Sequence, residues 1–222
     1  MKIQKTIRSD GAVTKELILE VAGRLFAEKG FNGTTSKEIC TLAHANQAAV
    51  NYHFGGKIEL YQAVLIQAHS NLLSIDFLLR IQNQTISAEK KLDLIIEQLT
   101  ANVLNNEWHI KIFIREIFSP TPHFEQAMSQ VVNKEVLPKM NIVKQIIGDR
   151  INLPADNPTV SRCLFSIGAP FIVMLVARKD ILNGIFKGVA PKQSCEELAT
   201  YFKLFVQGGL EQVSNKITDS IE

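Results

Sequence analysis

Apolar residues recur at helical spacing through almost every window of this 222-residue chain, and glycine and proline fall mainly between those windows. No stretch alternates polar and apolar residues for long, and Leu, Ile, Glu, Lys and Gln fill the periodic segments, so the pattern is that of an all-α fold. The clearest window opens at Thr14, a candidate N-cap, and carries Ile18, Val21, Ala22, Leu25 and Phe26 on one face. It closes at Gly30, the residue type that best tolerates the left-handed conformation ending a helix.

The next segments are short. Thr35 with Glu38 three residues on forms a capping box, and Ile39, Leu42 and Ala43 supply an apolar stripe. The string Ala43-His44-Ala45-Asn46 breaks the pattern, Asn46 offers a new cap, and 47–52 reads as a third helix with Val50 inward. Gly55-Gly56 separates this unit from a long segment, 57–83, whose inward candidates are Leu60, Val64, Leu65, Leu72 and Phe77. Ser87 caps a helix to about residue 105, and a shorter one covers 108–118. Ser119-Pro120-Thr121-Pro122 interrupts it, because proline cannot continue the hydrogen-bond ladder. The stretch 122–148 is one helix or two, with Pro138 as a kink. Asn157-Pro158 opens a helix to about residue 183. A loop rich in Gly and Pro follows at 184–193, and Ser194 caps a last helix to about residue 216, with Glu196 and Glu197 in its first turn.

Composition bounds the setting. Hydrophobic residues are 46% of the chain, which suits a packed chain of one or two domains and argues against disorder. Cys40, Cys163 and Cys195 share no metal-ligand spacing, so neither a disulfide framework nor structural zinc is supported, and a reducing cytoplasmic setting fits. The basic start lacks the apolar core of a secretory signal. The longest apolar run, 163–177, falls short of the ~18 residues a membrane span needs. The net charge of +2 looks uninformative for nucleic acid, yet eight basic against six acidic residues up to Tyr61 account for the whole excess of 24 over 22.

Two short helices joined by a tight turn are what a helix-turn-helix requires: the first crosses the DNA backbone and the second enters the major groove. Here the strings are Thr35-Ser36-Lys37-Glu38-Ile39, then Ala43, Asn46, Gln47, Ala48, Ala49 and Val50, then Tyr52-His53-Phe54-Gly55-Gly56-Lys57 with Leu60. They resemble the DNA-binding segment of TetR-family transcriptional regulators. Leu25-Phe26-Ala27-Glu28-Lys29-Gly30-Phe31 with Thr34-Thr35 resembles the end of that family's first helix, so the resemblance covers about 14–61. It implies a three-helix helix-turn-helix domain at 1–56, joined by a long helix to a larger helical effector-binding and dimerisation domain at 57–222.

Three positions depart from the family pattern. His44 stands where a glycine is usual and must accept either a left-handed conformation or an altered turn. Ala48 replaces a common glycine and Asn51 a common tyrosine, so no known operator transfers. Asn and Gln pair bidentately with adenine, which makes Gln47 and Asn51 candidates for base reading, and Ala49 suits a thymine methyl. Thr35, Ser36, Tyr52, His53 and Lys57 carry donors suited to phosphate, and Asn46 completes the DNA-facing set. The alternatives are exposed helix polars at Gln47 and Asn51 and a packing role for His53. Lys2, Lys5 and Arg8 form either a groove-tracking arm or a solvated terminus.

Arg115-Glu116-Ile117-Phe118-Ser119-Pro120-Thr121-Pro122, with 51–55, resembles the CecR type subgroup. That resemblance implies control of efflux or membrane-transport genes and a small hydrophobic effector. Trp108, His109, Phe113, Arg115, Phe118, His123, Phe124, Met128, Phe171, Met174 and Arg178 are candidate pocket residues, being apolar or aromatic with a few polar handles. Ordinary core is the alternative for each, and Arg115 and Glu116 also read as surface charges. By the resemblance, Leu164, Phe165, Ile172, Leu198, Phe202, Phe205 and Leu210 pack against a second copy as a four-helix bundle. An intramolecular core is the alternative. Nothing selects a nucleophile, a metal-ligand set or a cofactor motif. The expected partners are double-stranded operator DNA, a small-molecule effector and a second copy, without a membrane. The expected function is a ligand-released repressor; the alternatives are an activator with the same contacts, or a helical module without sequence-specific DNA binding.

Overall fold

The computed structural model describes residues 3–105, 108–132, 136–176, 184 and 195–219. Among them the regular elements are helices: α1 (Ile3–Gly33), α2 (Ser36–Leu42), α3 (Ala49–Phe54), α4 (Lys57–Leu72), α5 (Ile75–Gln82), α6 (Ala88–Asn105), α7 (Trp108–Phe118), α8 (Pro122–Val131), α9 (Leu137–Ile151), α10 (Pro158–Val176) and α11 (Cys195–Thr218). No helix among the described residues is long and apolar enough to cross a membrane.

The chain forms two compact units that are not contiguous in sequence. One comprises Met1–Asn71 with Glu107–Val132, the other Leu72–Asn106 with Asn133–Glu222.

In the first unit, Ile18, Ala22, Leu25 and Phe26 of α1 are buried as their spacing requires, together with Ile39, Val50, Leu60, Val64 and Leu65. The left-handed requirement falls on Gly30, at φ 75° and ψ 175°, a region open essentially to glycine, where the helix kinks. The buried Thr34 hydroxyl donates to the Gly30 carbonyl at 2.9 Å, closing that end. Gly23 meets a different demand. A Cβ there would lie 2.5 Å from Trp108 Cε3, so the indole of α7 rests directly on the α1 backbone.

A buried polar anchor joins α4 to α7 and α8. Glu116 is 1% exposed, and its Oε1 accepts the hydroxyl proton of the fully buried Tyr61. Its Oε2 accepts from the Thr121 backbone N–H at 2.8 Å and from the Thr121 hydroxyl at 3.0 Å. Thr121 is the N-cap of α8 by backbone position; its side chain makes no cap hydrogen bond and its hydroxyl donates to Glu116. Glu116 is therefore no surface charge. Arg115 is exposed, its Nη1 donating to the Ala27 carbonyl at 3.4 Å.

Several boundaries differ from the sequence pattern for local reasons. The 57–83 segment is two helices, since the Ser74 hydroxyl accepts from Phe77 N–H at 3.2 Å and starts α5. In 122–148, read as one helix or two, α8 and α9 lie on either side of 133–135, which are outside the described residues, and Pro138 falls in the first turn of α9 rather than at a kink. Ser87 and Asn157 cap as expected, accepting from Lys90 N–H at 3.2 Å and Thr159 N–H at 2.8 Å. The 185–193 part of the predicted loop and the predicted cap Ser194 lie outside the described residues.

The second unit packs α5, α6, α9, α10 and α11 around Leu92, Ile96, Ile146, Ile147, Val160 and Val206. Gln207 of α11 stitches it across three helices: its Nε2 donates to Asp93 Oδ1 at 3.0 Å, and its Oε1 accepts from Arg150 Nε at 3.1 Å. Lys203 pairs with Glu97 at 2.6 Å, which raises the ammonium pKa.

Two outcomes follow from the first unit's packing. Gly23→Ala forces the indole off α1 and lowers stability by about 1–3 kcal/mol in denaturant titration, whereas Gly11→Ala, whose Cβ meets nothing within 4 Å, is neutral or stabilising. Burial and the adjacent Glu116 push the Tyr61 hydroxyl well above its ordinary pKa. Its folded-state preference for the protonated form thus contributes stability below the ordinary tyrosine range, about 10, and loses it as pH rises above that range. Near-ultraviolet titration should show Tyr61 ionising only together with alkaline unfolding, a coupled phase that Tyr61→Phe lacks.

Candidate nucleic-acid interface

The helix-turn-helix elements α2 and α3 are set by local hydrogen bonds. The Thr35 hydroxyl accepts from Glu38 N–H at 3.2 Å, one half of the expected capping box. The other half is absent: the Glu38 carboxylate pairs with Lys29 Nζ, because α1 brings an ammonium closer than the cap backbone. His44 takes the left-handed conformation, φ 49°, meeting the turn's demand where a glycine is usual. Asn46 accepts from Ala48 N–H at 2.9 Å through its side chain, so it stabilises the turn and α3 begins at Ala49, two residues later than the pattern predicted.

This geometry turns one face outward. Val50 is buried, while Asn46, Gln47, Asn51 and Tyr52 are exposed, Tyr52 to 84%. Thr35 is exposed and Ser36 half-buried. A threonine hydroxyl that accepts a cap bond still has its own proton to donate. Ala49 is half-buried against the core. His53 is half-buried edge-on to Tyr52, with ring centroids 4.9 Å apart.

Lys57 begins α4 with its Nζ 4.2 Å from the centroid of the Phe31 ring, and burial lowers its pKa. The same ring lies 4.9 Å from Tyr61 and 4.6 Å from His123. This aromatic cluster escaped sequence patterning because its members come from α1, α4 and α8. The only hint was the adjacency of Phe31 to the Gly30 stop. Lys2 lies outside the described residues, and α1 is already helical at Ile3.

The candidate effector residues divide between the two units. Trp108 and His109 are buried and stacked at 3.7 Å, and with Arg115, His123, Phe124 and Met128 they belong to the first unit. Trp108 Nε1 is buried without a hydrogen-bond partner. Phe118, also in that unit, is 65% exposed. Phe171 and Met174 belong to the second unit, where the Phe171 ring lies 4.8 Å from Phe202. Phe113 is placed on α7 by its backbone, and Arg178 lies outside the described residues. A cavity of about 300 Å³ in the first unit is lined by Glu20, Arg24, Ala27, Glu28, Trp108, His109 and Lys111. Its charged rim is unlike the mostly apolar site expected from the sequence.

The candidate dimer residues also divide. Phe165, Ile172 and Phe205 are exposed, but Leu198 is buried and Leu210 is buried in its unit's core, with Leu164 and Phe202 half-buried against that core. Heptad-like spacing cannot separate these faces on a helix that buries one side and presents the other. The outward apolar set on α10 and α11 also includes Val173, Tyr201 and Leu204.

Comparison with known proteins accords with this architecture. Residues 18–64 match the model of bacterial regulatory proteins of the tetR family, and residues 88–210 match the C-terminal domain of the HTH-type transcriptional dual regulator CecR. The chain is 33% identical to the HTH-type transcriptional repressor BepR of Brucella suis over 61 residues, 28% of this chain and 29% of BepR. It is 26% identical to the HTH-type regulator YttP of Bacillus subtilis over 122 residues, 55% of this chain and 59% of YttP. These matches span less than two thirds of the relatives' own length. In fold it resembles the transcriptional regulator FadR of Bacillus subtilis, solved in complex with stearoyl-CoA, with a TM-score of 0.64 at 14% identity over 87% of this chain and 98% of that one. With an N-terminal helix-turn-helix and a C-terminal match spanning more than half of its length, the chain belongs to the TetR family of transcriptional regulators and carries a CecR-like C-terminal domain.

Proposed function

We propose that the protein is a homodimeric repressor that grips a pseudo-palindromic operator with one helix-turn-helix per subunit and releases it on binding a small hydrophobic effector. The carrying observation is the outward face of Gln47, Asn51 and Tyr52, held rigid by buried Val50 and by the left-handed turn at His44. In this reading residues 1–56 read DNA and 57–222 bind effector and dimerise. Gln47 and Asn51 read bases, while Thr35, Ser36, Tyr52, His53 and Lys57 meet phosphate. The likeness to BepR supports repression. The word dual in the CecR description supports a second reading, activation through the same contacts.

The exposed apolar face of α10 and α11 supports dimerisation. Phe165 is 75% and Phe205 81% exposed in the single chain, and a run of large apolar side chains left in water marks an interaction surface. FadR with stearoyl-CoA supports an apolar or amphipathic effector. The subgroup resemblance favours efflux or transport genes as targets. Effector binding would shift the population toward a conformation in which the recognition helices no longer match successive major grooves, about 34–36 Å apart.

The test begins by selecting duplexes from a random pool. Affinity should fall steeply with salt as phosphate contacts are screened. Gln47→Ala and Asn51→Ala should each relax preference at one base position by about 1–3 kcal/mol; unchanged preference in both sinks the base-reading assignment. An effector should weaken binding by about 5–150-fold. For assembly, Phe205→Glu should sediment as a monomer and lose tight binding to a two-half-site duplex. A dimeric F205E variant removes that face from the interface.

A further inference from the structure

We infer that Glu116 is a positioning residue for DNA binding: through Tyr61 it fixes the end of α4 from which Lys57 reaches phosphate. This rests on the phosphate-binding reading of Lys57 given above. Lys57 and Tyr61 are one helical turn apart, so both lie on the same face of α4, and both contact the Phe31 ring, at 4.2 Å and 4.9 Å. Tyr61 is fully buried and pinned by its hydroxyl to the Glu116 carboxylate. His123, at the start of α8, closes the cluster against Phe31 at 4.6 Å, and Thr121 beside it is held by the other Glu116 oxygen. One buried carboxylate thus sets both the Tyr61 side and the α8 side of the ring on which the Lys57 ammonium rests.

The ring face holds only one side of the ammonium, and the remaining N–H groups are available to a phosphate oxygen. A lysine so held is kept within reach of the phosphate and gives up less rotamer freedom on binding than a free one, so losing the hold costs the phosphate contact itself. Releasing Tyr61 removes that hold. Glu116→Gln keeps the shape but loses an acceptor: if its oxygen takes the Tyr61 proton, its amide faces the two Thr121 donors, and if it flips, Tyr61 loses its acceptor. Tyr61→Phe removes one arm while leaving the ring in place.

The experiment measures binding of full-length native, E116Q, Y61F, K57A and E116Q/K57A proteins to the duplex that the native protein selects from a random pool, across a range of salt. E116Q and Y61F should lose about five-fold or more in affinity, with a salt slope shallower by about one, as expected for one phosphate contact. E116Q/K57A should bind no more weakly than K57A alone, because both changes remove the same contact. A merely structural role for Glu116 reduces the active fraction but leaves the slope native. Native slopes in E116Q and Y61F, or losses additive with K57A, overturn the inference, and if E116Q does not fold, Y61F decides it alone. If the native chain selects no duplex, the DNA-binding reading itself fails, which is a different result from a native-like E116Q.

Discussion

Glu116 occupies a position that water cannot reach, and a carboxyl group so placed is tolerated only when its oxygens are supplied with donors. The donors are the Tyr61 hydroxyl, 55 residues earlier in the chain, and the backbone and side chain of Thr121. Removing either partner leaves a buried polar atom unsatisfied, which costs more than the bond itself contributes. The same group that holds α4 also positions the turn into α8, so the helix-turn-helix and the α7–α8 pair form one compact unit rather than two neighbours in sequence.

That unit depends equally on a steric fit. The Trp108 ring lies directly on Gly23, and Arg115 lies over Gly30 with its guanidinium 3.1 Å from where a Cβ would stand. Close approach of α7 to α1 is therefore written into two glycines of the first helix. To that shared core the helix-turn-helix elements add local constraints: the Thr35 to Glu38 and Asn46 to Ala48 hydrogen bonds, and the left-handed His44 between them. A long-range core fixes where α3 stands, and local hydrogen bonds at the turn fix which side chains it presents.

The second unit solves a different problem. Its helices bury Leu198, Val206 and Leu210 of α11 on one side while leaving Tyr201, Leu204 and Phe205 in water on the other. Gln207, half-buried between these faces, ties α11 to α6 and α9 and fixes the rotation of the helix, and that rotation decides which apolar residues are presented outward.

The all-helical fold, the start and stop at Thr35 and Gly30, the helix-turn-helix and its outward Gln47 and Asn51 were legible in the sequence, because periodicity, caps and turns act within a few residues. The short α3, the break at Ser74 and the missing half of the capping box were not, since each turns on which nearby donor or acceptor wins. The grouping of α7 and α8 with the helix-turn-helix was invisible too: Glu116 reads as a surface charge until Tyr61 and Thr121 are folded around it, and nothing in the sequence sets Trp108 against Gly23 of α1. Local chemistry determined the elements and the outward face of α3. Only tertiary structure decided which distant side chains satisfy one another, because burial and hydrogen bonding between residues 55 apart leave no period in the chain.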